Sequence, residues 1–365
     1  MAQIRVEKLR KAFQDFIAVE RSDFTVEDGT FFVMLGPSGC GKTTTLRMIA
    51  GLELPTEGRI LLDGEDVTYR RAAQRDIAFV FQLFALYPHM NVAQNIGFPL
   101  RCQSVSGKET RRLVLETARL LRIEHLLQSK VSKLSGGDRQ RVALGRAIVR
   151  RPKAFLMDEP LGALDAELRH LMCDELRDLH DRIRATTIYV THDQLEAMSL
   201  ADRIAVMNCG VLEQIGTPQE IYDLPASMFV GDFIGSPPMN FIHFEGRLRR
   251  GDRAVQIRDT TIAVPEAHEE ATVDSLVLGV RPEHVALSDS AQIRGRVFGT
   301  EYLGTTQVVT VDIEQGQVKA RLPSSSTVRP GETVGLTFQS QSLVVFDAAT
   351  GRAMHSALYE GDRHG

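Results

Sequence analysis

Residues 31–50 read FFVMLGPSGCGKTTTLRMIA, and no other stretch limits the fold as tightly. Five apolar residues, Phe31–Leu35, form a run of strand length. A glycine-rich segment follows, and then a helical stretch that Gly51 ends. Within it, Gly36-Pro37-Ser38-Gly39-Cys40-Gly41-Lys42-Thr43 matches G-x-x-x-x-G-K-[ST] in the strand-to-helix setting the pattern needs. The glycines let backbone wrap closely around a polyphosphate, and successive N–H groups point inward. The helix N-terminus adds its partial positive charge. Lys42 supplies a compact positive charge, Thr43 a hydroxyl for Mg²⁺, and Thr44 belongs to the same phosphate-facing turn.

Further apolar runs of strand length are Asp76–Gln82, Lys153–Pro160 and Thr186–Asp193. ADRIAVMNCGVLEQIG predicts a hairpin turning at Asn208-Cys209-Gly210. Strands alternating with helices imply a mostly parallel sheet, hence an α/β domain. From about 92 to 151 helical spacing takes over, which implies an inserted helical subdomain. GSPPMN, Gly235–Asn240, marks a boundary between a domain at 1–235 and another at 236–365. Beyond it, short alternating runs such as TQVVTVDI and SLVVFD predict a small all-β barrel or sandwich.

Asp158-Glu159 ends an apolar run, His192 ends the next, and Gln82 ends AFVFQ. Alone, each would be an ordinary polar strand end. Beside a phosphate loop, an Asp can hold Mg²⁺ through water and a Glu can polarise an attacking water. His192 sits at the carboxyl edge of the sheet, where such folds gather ligands. Leu134–Pro152 holds a second anion site, because Ser135 caps a helix that opens with Gly136-Gly137. One chain already owns a complete phosphate cradle, so the second site fits the nucleotide of another chain. The arginines 139, 141, 146, 150 and 151 read as a solvated helix face, the last two complementing the helix dipole.

A net charge of -4 gives no global reason to bind nucleic acid. The four cysteines form no CxxC pair, so no zinc site or disulfide framework is expected. The N-terminus lacks the apolar core of a signal peptide, and no apolar run approaches membrane-spanning length.

Together these residues resemble the nucleotide-binding subunit of ABC transporters, over essentially the whole chain. The likeness rests on a Walker A loop (Gly36–Thr43), Gln82, the LSGG signature (Leu134–Gly137) and a Walker B strand (Phe155–Asp158) with Glu159. A D-loop (Leu161–Asp165) and the switch histidine His192 complete it. It implies a P-loop NTPase (RecA-like) core with the helical subdomain inserted, and a C-terminal OB-like regulatory domain. It also implies ATP and Mg²⁺ as cofactors, with Thr43, Gln82 and Asp158 at the metal. Glu159, His192 and Gln82 become the catalytic group, Phe13 an adenine-stacking residue, and Ser135, Gly136 and Gly137 contacts to the partner's ATP. A second ATPase chain, membrane permease subunits and a substrate-binding protein reached through the permease are the implied partners. The implied location is the cytoplasmic face of the inner membrane.

LYPHMNVAQNIGFPL, GTPQEIYDLPAS, FIGSPPMNF and LGVRPEHV resemble importer ATPases of the maltose and glycerol-phosphate type. That implies a sugar, polyol or sugar-phosphate cargo, with polyamine and ferric-iron importers as the alternative. Non-transport ABC ATPases fit poorly, since long coiled coils and a second cassette are missing. A small-molecule kinase would leave LSGG unexplained. Three positions depart from the family pattern: Asp138 where Gln is usual, Phe13 where Tyr or Trp is common, and Gly162-Ala163 where a serine usually begins the pair. These softened positions leave a heterodimer open beside a homodimer.

Overall fold

The computed structural model describes residues 2–360 except 163, 272, 273, 290 and 292. The chain forms two compact units, Met1–Pro218 and Gln219–Gly365.

In chain order the first unit contains β1 (Ile4–Phe13), β2 (Phe16–Val26), β3 (Phe31–Leu35), α1 (Lys42–Ala50), β4 (Glu57–Leu62), β5 (Glu65–Asp66) and β6 (Ile77–Val80). The helices α2 (Val92–Cys102), α3 (Gly107–Leu120) and α4 (Gly136–Ile148) follow. Then come β7 (Ala154–Asp158), α5 (Ala166–Ile183), β8 (Thr186–Thr191), α6 (Gln194–Leu200), β9 (Arg203–Asn208) and β10 (Val211–Gly216).

The central sheet runs β10-β9-β3-β8-β7-β6, parallel except for β10. Every residue of β3, β7 and β8 is buried, as continuous apolar strands covered on both faces must be. The expected hairpin at Asn208–Gly210 joins β9 to β10. The expected helical block resolves into α2, α3 and α4, with Leu144 and Ile148 of α4 both buried. Each helix is opened by a capping side chain: Asn91 bonds Gln94 N, Ser106 bonds Glu109 N and Ser135 bonds Asp138 N.

A second, antiparallel sheet, β2-β1-β4-β5, was not expected from the sequence. It buries Ile4, Val6, Leu9, Val19 and Val26 in one core with Leu46, Ile49 and Leu156. Register shifts in β1 after Val6 and Leu9 break the period-2 pattern that would have revealed it.

The second unit contains α7 (Pro218–Asp223), α8 (Met228–Phe233), β11 (Asn240–Glu245), β12 (Ala254–Ile257), β13 (Thr260–Ala263) and β14 (Ser275–Val280). It continues with β15 (Val285–Leu287), β16 (Ile293–Tyr302), β17 (Thr306–Ile313), β18 (Gly316–Pro323), β19 (Thr333–Phe338) and β20 (Val344–Asp347). Its sheets, β11-β14-β20, β12-β13 and β15-β19-β16-β17-β18, are antiparallel and enclose a Val- and Leu-rich core.

The compact units part at Pro218, and residues 219–234 pack with this second unit. Arg281, 1% exposed, donates to Tyr222 O at 2.7 and 3.1 Å, to Gly231 O at 3.0 Å and to Ile234 O. The guanidinium also lies 4.2 Å from the Tyr222 ring centroid. The two prolines punctuate the chain without dividing it. Among the described residues, no helix is long and apolar enough to cross a membrane.

Candidate functional site

The glycine-rich loop leaves β3 and enters α1 at Lys42. Two glycines are there by necessity. A Cβ on Gly36 would stand 2.2 Å from Met207 O. Gly41 has φ +99, and its Cβ would stand 2.3 Å from Ala18 O. The loop is therefore wedged against β2 and the end of β9. Ser38 and Gly39 are exposed at its tip, Pro37 is half-buried, and Cys40 packs inward. Lys42 is 4% exposed. Its Nζ donates to Gly36 O and Pro37 O, both at 2.8 Å, so the ammonium lies inside the curve of the loop. Thr44 is half-buried on the first turn of α1.

The sheet brings β7 alongside. Thr43 Oγ1 donates to Asp158 Oδ1 at 2.7 Å. Burial pushes the Asp158 carboxyl up, while the Thr43 hydrogen bond and the nearby Arg47 and Lys42 pull it down. A hydroxyl and a carboxylate oxygen side by side make a hard-oxygen pair of the kind Mg²⁺ takes.

Glu159 follows, and its backbone is held in the left-handed region at φ +45. For a glutamate that conformation is strained, and such strain gathers at functional sites. Its N–H donates to Val190 O at 3.0 Å, which ties it to β8. The carboxylate sits between two groups: Gln82 Nε2 donates to Oε2 at 3.2 Å, and His192 Nδ1 lies 3.2 Å from Oε1. Gln82 lies two residues past the end of β6 and His192 one past β8, so both occupy turns and not strand ends as expected.

The turn carrying His192 rests on a network that the sequence reading missed. Glu196, 4% exposed, accepts from Tyr189 Oη and Thr191 Oγ1, both at 2.7 Å. Asp193 caps α6 and pairs with Arg169 at 3.0 Å. The signal was present as D-x-x-E before an apolar run, a relative of the capping box.

The remaining residues divide. Phe13 is exposed at the end of β1, with the Lys11 ammonium 4.6 Å from its ring centroid. Ser135, Gly136 and Gly137 form the N-terminus of α4, but their hydrogen bonds stay within their own segment. Among the described residues, no hydrogen bond or ion pair joins them to the Gly36–Thr43 loop or to Glu159. Ser135 Oγ donates to Asp138 Oδ2 at 2.7 Å and accepts from Asp138 N at 3.2 Å. Asp138 in turn meets Arg141 at 3.1 Å, and Arg141 is held by both oxygens of Glu175. Asp138 thus turns back onto its own helix. Of the unusual D-loop pair, Gly162 N donates to Glu159 O at 3.2 Å, and Ala163 lies outside the described residues.

Of the five arginines expected on a solvated helix face, Arg139 and Arg151 are exposed, while Arg146 and Arg150 turn to backbone carbonyls. Arg146 donates to Phe84 O at 2.8 Å and Ala85 O at 2.6 Å, and Arg150 donates to Ile77 O at 2.5 Å. Phe84 and Ala85 both have positive φ, which turns their carbonyls toward Arg146. The arginine fixes the loop after Gln82 and faces the Tyr87 ring at 5.4 Å.

Comparison with known proteins follows the same lines. The family described as ABC transporter matches residues 19–162, the MalK OB fold domain residues 235–285, and the TOBE domain residues 278–346. The trehalose import ATP-binding protein SugC of Mycobacterium tuberculosis is 45% identical over 96% of this chain and 98% of its own. The trehalose/maltose import ATP-binding protein MalK of Thermococcus litoralis is 45% identical over 97% of this chain and all of its own. A dimeric post-hydrolysis structure of the ATP-binding cassette MJ0796, bound to ADP and Pi, matches with a TM-score of 0.53. It is 30% identical and covers 59% of this chain and 98% of that cassette. With the phosphate loop, the Asp158–Glu159 pair and full-length likeness to these relatives in hand, the chain belongs to the ATP-binding subunits of ABC transporters.

Proposed function

We propose that this chain hydrolyses ATP at a site completed by a second ATPase chain and so drives import of a sugar, polyol or sugar-phosphate. The observation that carries the reading is the placement of Glu159 between Gln82 and His192, one residue from the Thr43–Asp158 pair.

Lys42 and the N–H groups of Gly39, Gly41, Thr43 and Thr44 hold the phosphates. The Lys42 ammonium exchanges its two loop carbonyls for phosphate oxygens. Phe13 offers an exposed ring face to adenine. Thr43, Asp158 and the free carbonyl of Gln82 would hold Mg²⁺, which supplies charge neutralisation on the transferring phosphoryl group. Glu159 accepts the proton of the attacking water, and His192 orients that carboxylate through Oε1. The chemistry is Glu159-assisted transfer of the γ-phosphoryl to water.

Ser135–Gly137 serve the ATP of the partner chain, since among the described residues none of their hydrogen bonds reaches their own chain's loop. Two copies arranged by a two-fold axis complete two sites. A cavity of about 340 Å³ beside the Gln82 loop, lined by Phe81, Ala85, Tyr87, Phe98 and Arg146, receives a permease helix. On this reading the chain works at the cytoplasmic face of the membrane, with a substrate-binding protein acting through the permease. The names of relatives such as SugC, MalK and the sn-glycerol-3-phosphate import protein UgpC support the carbohydrate class.

Two experiments test the reading. ATP turnover should vanish in Lys42→Ala and in Glu159→Gln, and turnover persisting in either variant would overturn the site. Cells lacking the chain should lose uptake of a sugar or glycerol phosphate, and loss of polyamine or ferric-iron uptake instead would overturn the cargo class.

A further inference from the structure

The second unit holds a side-chain cluster that the nucleotide chemistry does not use. His268, His355 and Glu360 each present one ligand atom, and the three atoms lie within 4.8 Å of one another. Backbone pairing builds the cluster. Ala267 and Ser356 form an antiparallel bridge, His268 N donates to His355 O at 2.9 Å, and Ala357 N donates to Glu266 O at 2.8 Å. His268 and His355 therefore stand directly across from each other and share a face. Their ring centroids are 5.8 Å apart.

The one-turn helix Ala357–Tyr359 then swings Glu360 back, so that its Oε1 lies 2.8 Å from His268 Nδ1. A supporting layer holds the frame. Glu269 accepts from His355 N at 2.7 Å and pairs with Arg352 at 3.0 Å. The Tyr359 ring stacks on His355 at 5.9 Å, and its hydroxyl donates to Pro225 O at 3.0 Å. The backbone is fixed, while His355 and Glu360 open to solvent and His268 is half-buried.

We propose that His268, His355 and Glu360 form a binding site for a divalent transition-metal cation, Zn²⁺ foremost. Two imidazoles and one carboxylate are a borderline nitrogen–oxygen set, suited to Zn²⁺, Co²⁺ or Ni²⁺ and not to the all-oxygen shells of Mg²⁺ and Ca²⁺. With metal–ligand bonds of about 2.0–2.1 Å, tetrahedral ligand atoms stand about 3.4 Å apart. Rotation of the solvent-facing side chains closes the remaining gap. The cation takes the place of the direct contact between His268 and Glu360. Water fills the fourth position. The bound ion cross-links the segment around His268 to the turn at 357–360.

Zinc titration of the tag-free full-length chain by calorimetry tests this. Wild type should take up one equivalent that millimolar Mg²⁺ does not displace. His268→Ala and His355→Ala should each weaken that uptake at least about tenfold. Zn²⁺ should also raise the thermal midpoint of wild type and leave the His268→Ala/His355→Ala double variant unmoved. Co²⁺ should give a visible absorption band that Glu360→Gln shifts or abolishes. Zinc uptake equal in wild type and double variant, at His192 and Glu159 for example, would overturn the proposal. So would no uptake at all, which leaves His268–Glu360 a plain ion pair.

Discussion

Replacing Thr43 by valine separates the structural and catalytic parts of the site. The change keeps the branched shape and removes the hydroxyl that donates to Asp158 at 2.7 Å. Asp158 is 8% exposed, so water cannot replace the lost donor fully. A hydrogen bond to a charged group contributes about 1.5–3 kcal/mol. For a unit of this size, that lowers the melting temperature by about 3–12 °C.

The loss should depend on pH, with a definite sign. Burial already raises the Asp158 carboxyl above its ordinary value of 3.8, and the Thr43 bond opposes the rise. A carboxyl raised by folding contributes stability below its ordinary value and loses it as pH climbs through the folded value. Thr43→Val raises the folded value further. The gap between variant and wild type should be full at pH 7 and contract as pH falls toward 4. Thermal unfolding by circular dichroism, without nucleotide, reads this at both pH values. Thr43→Ser keeps the hydroxyl and should stay within about 1 kcal/mol of wild type. ATP turnover should fail in the valine variant at every pH. An unchanged midpoint at pH 7, or a gap independent of pH, would refute the coupling of Thr43 to Asp158.

Two further variants probe other parts of the chain. Asp138→Asn removes a negative charge beside Ser135 and weakens the charge-assisted bond that its hydroxyl donates. Its partly exposed pair with Arg141 contributes under about 1 kcal/mol, so stability by urea titration should barely change. Like charges about 8–10 Å apart at an effective dielectric of about 20–40 repel by about 1–2 kcal/mol, and a two-fold dimer holds two such contacts, so ATP-driven association should strengthen by at least about 30-fold. Weaker association would mean that the carboxylate assists the contact. Arg281→Met leaves the Tyr222, Gly231 and Ile234 carbonyls without their buried donor. At about 1–3 kcal/mol for each stranded carbonyl it should cost the second unit about 3 kcal/mol or more, read as a lower urea midpoint, and a loss under 1 kcal/mol would show that the arginine is replaceable.

The site residues were legible because their chemistry is tied to spacing. Gly36–Thr43 fixes loop geometry by itself, while Asp158 ends an apolar run of strand length and Glu159 and His192 each follow one. What escaped notice depends on distant backbone. Arg146 was expected on a solvated helix face, yet it serves the carbonyls of Phe84 and Ala85, and Arg281, to which no role was assigned, serves those of Tyr222 and Gly231. Sequence periodicity carries no trace of such partners. The β1–β2 sheet hid behind its bulges and charged alternation. Residues 219–234 looked like the tail of the first domain because two prolines follow them, while Arg281 holds them to the second.

If Ser135–Gly137 complete the nucleotide site of a second chain, ATP must hold two chains together. Light scattering of the Glu159→Gln variant tests it directly. With saturating ATP and Mg²⁺ the particle should have twice the mass of one chain, and with ADP the mass of one. Adding Ser135→Arg to that variant should keep it monomeric in ATP. A monomer in Glu159→Gln with ATP bound, or an ATP-dependent dimer that Ser135→Arg leaves intact, would contradict the claim.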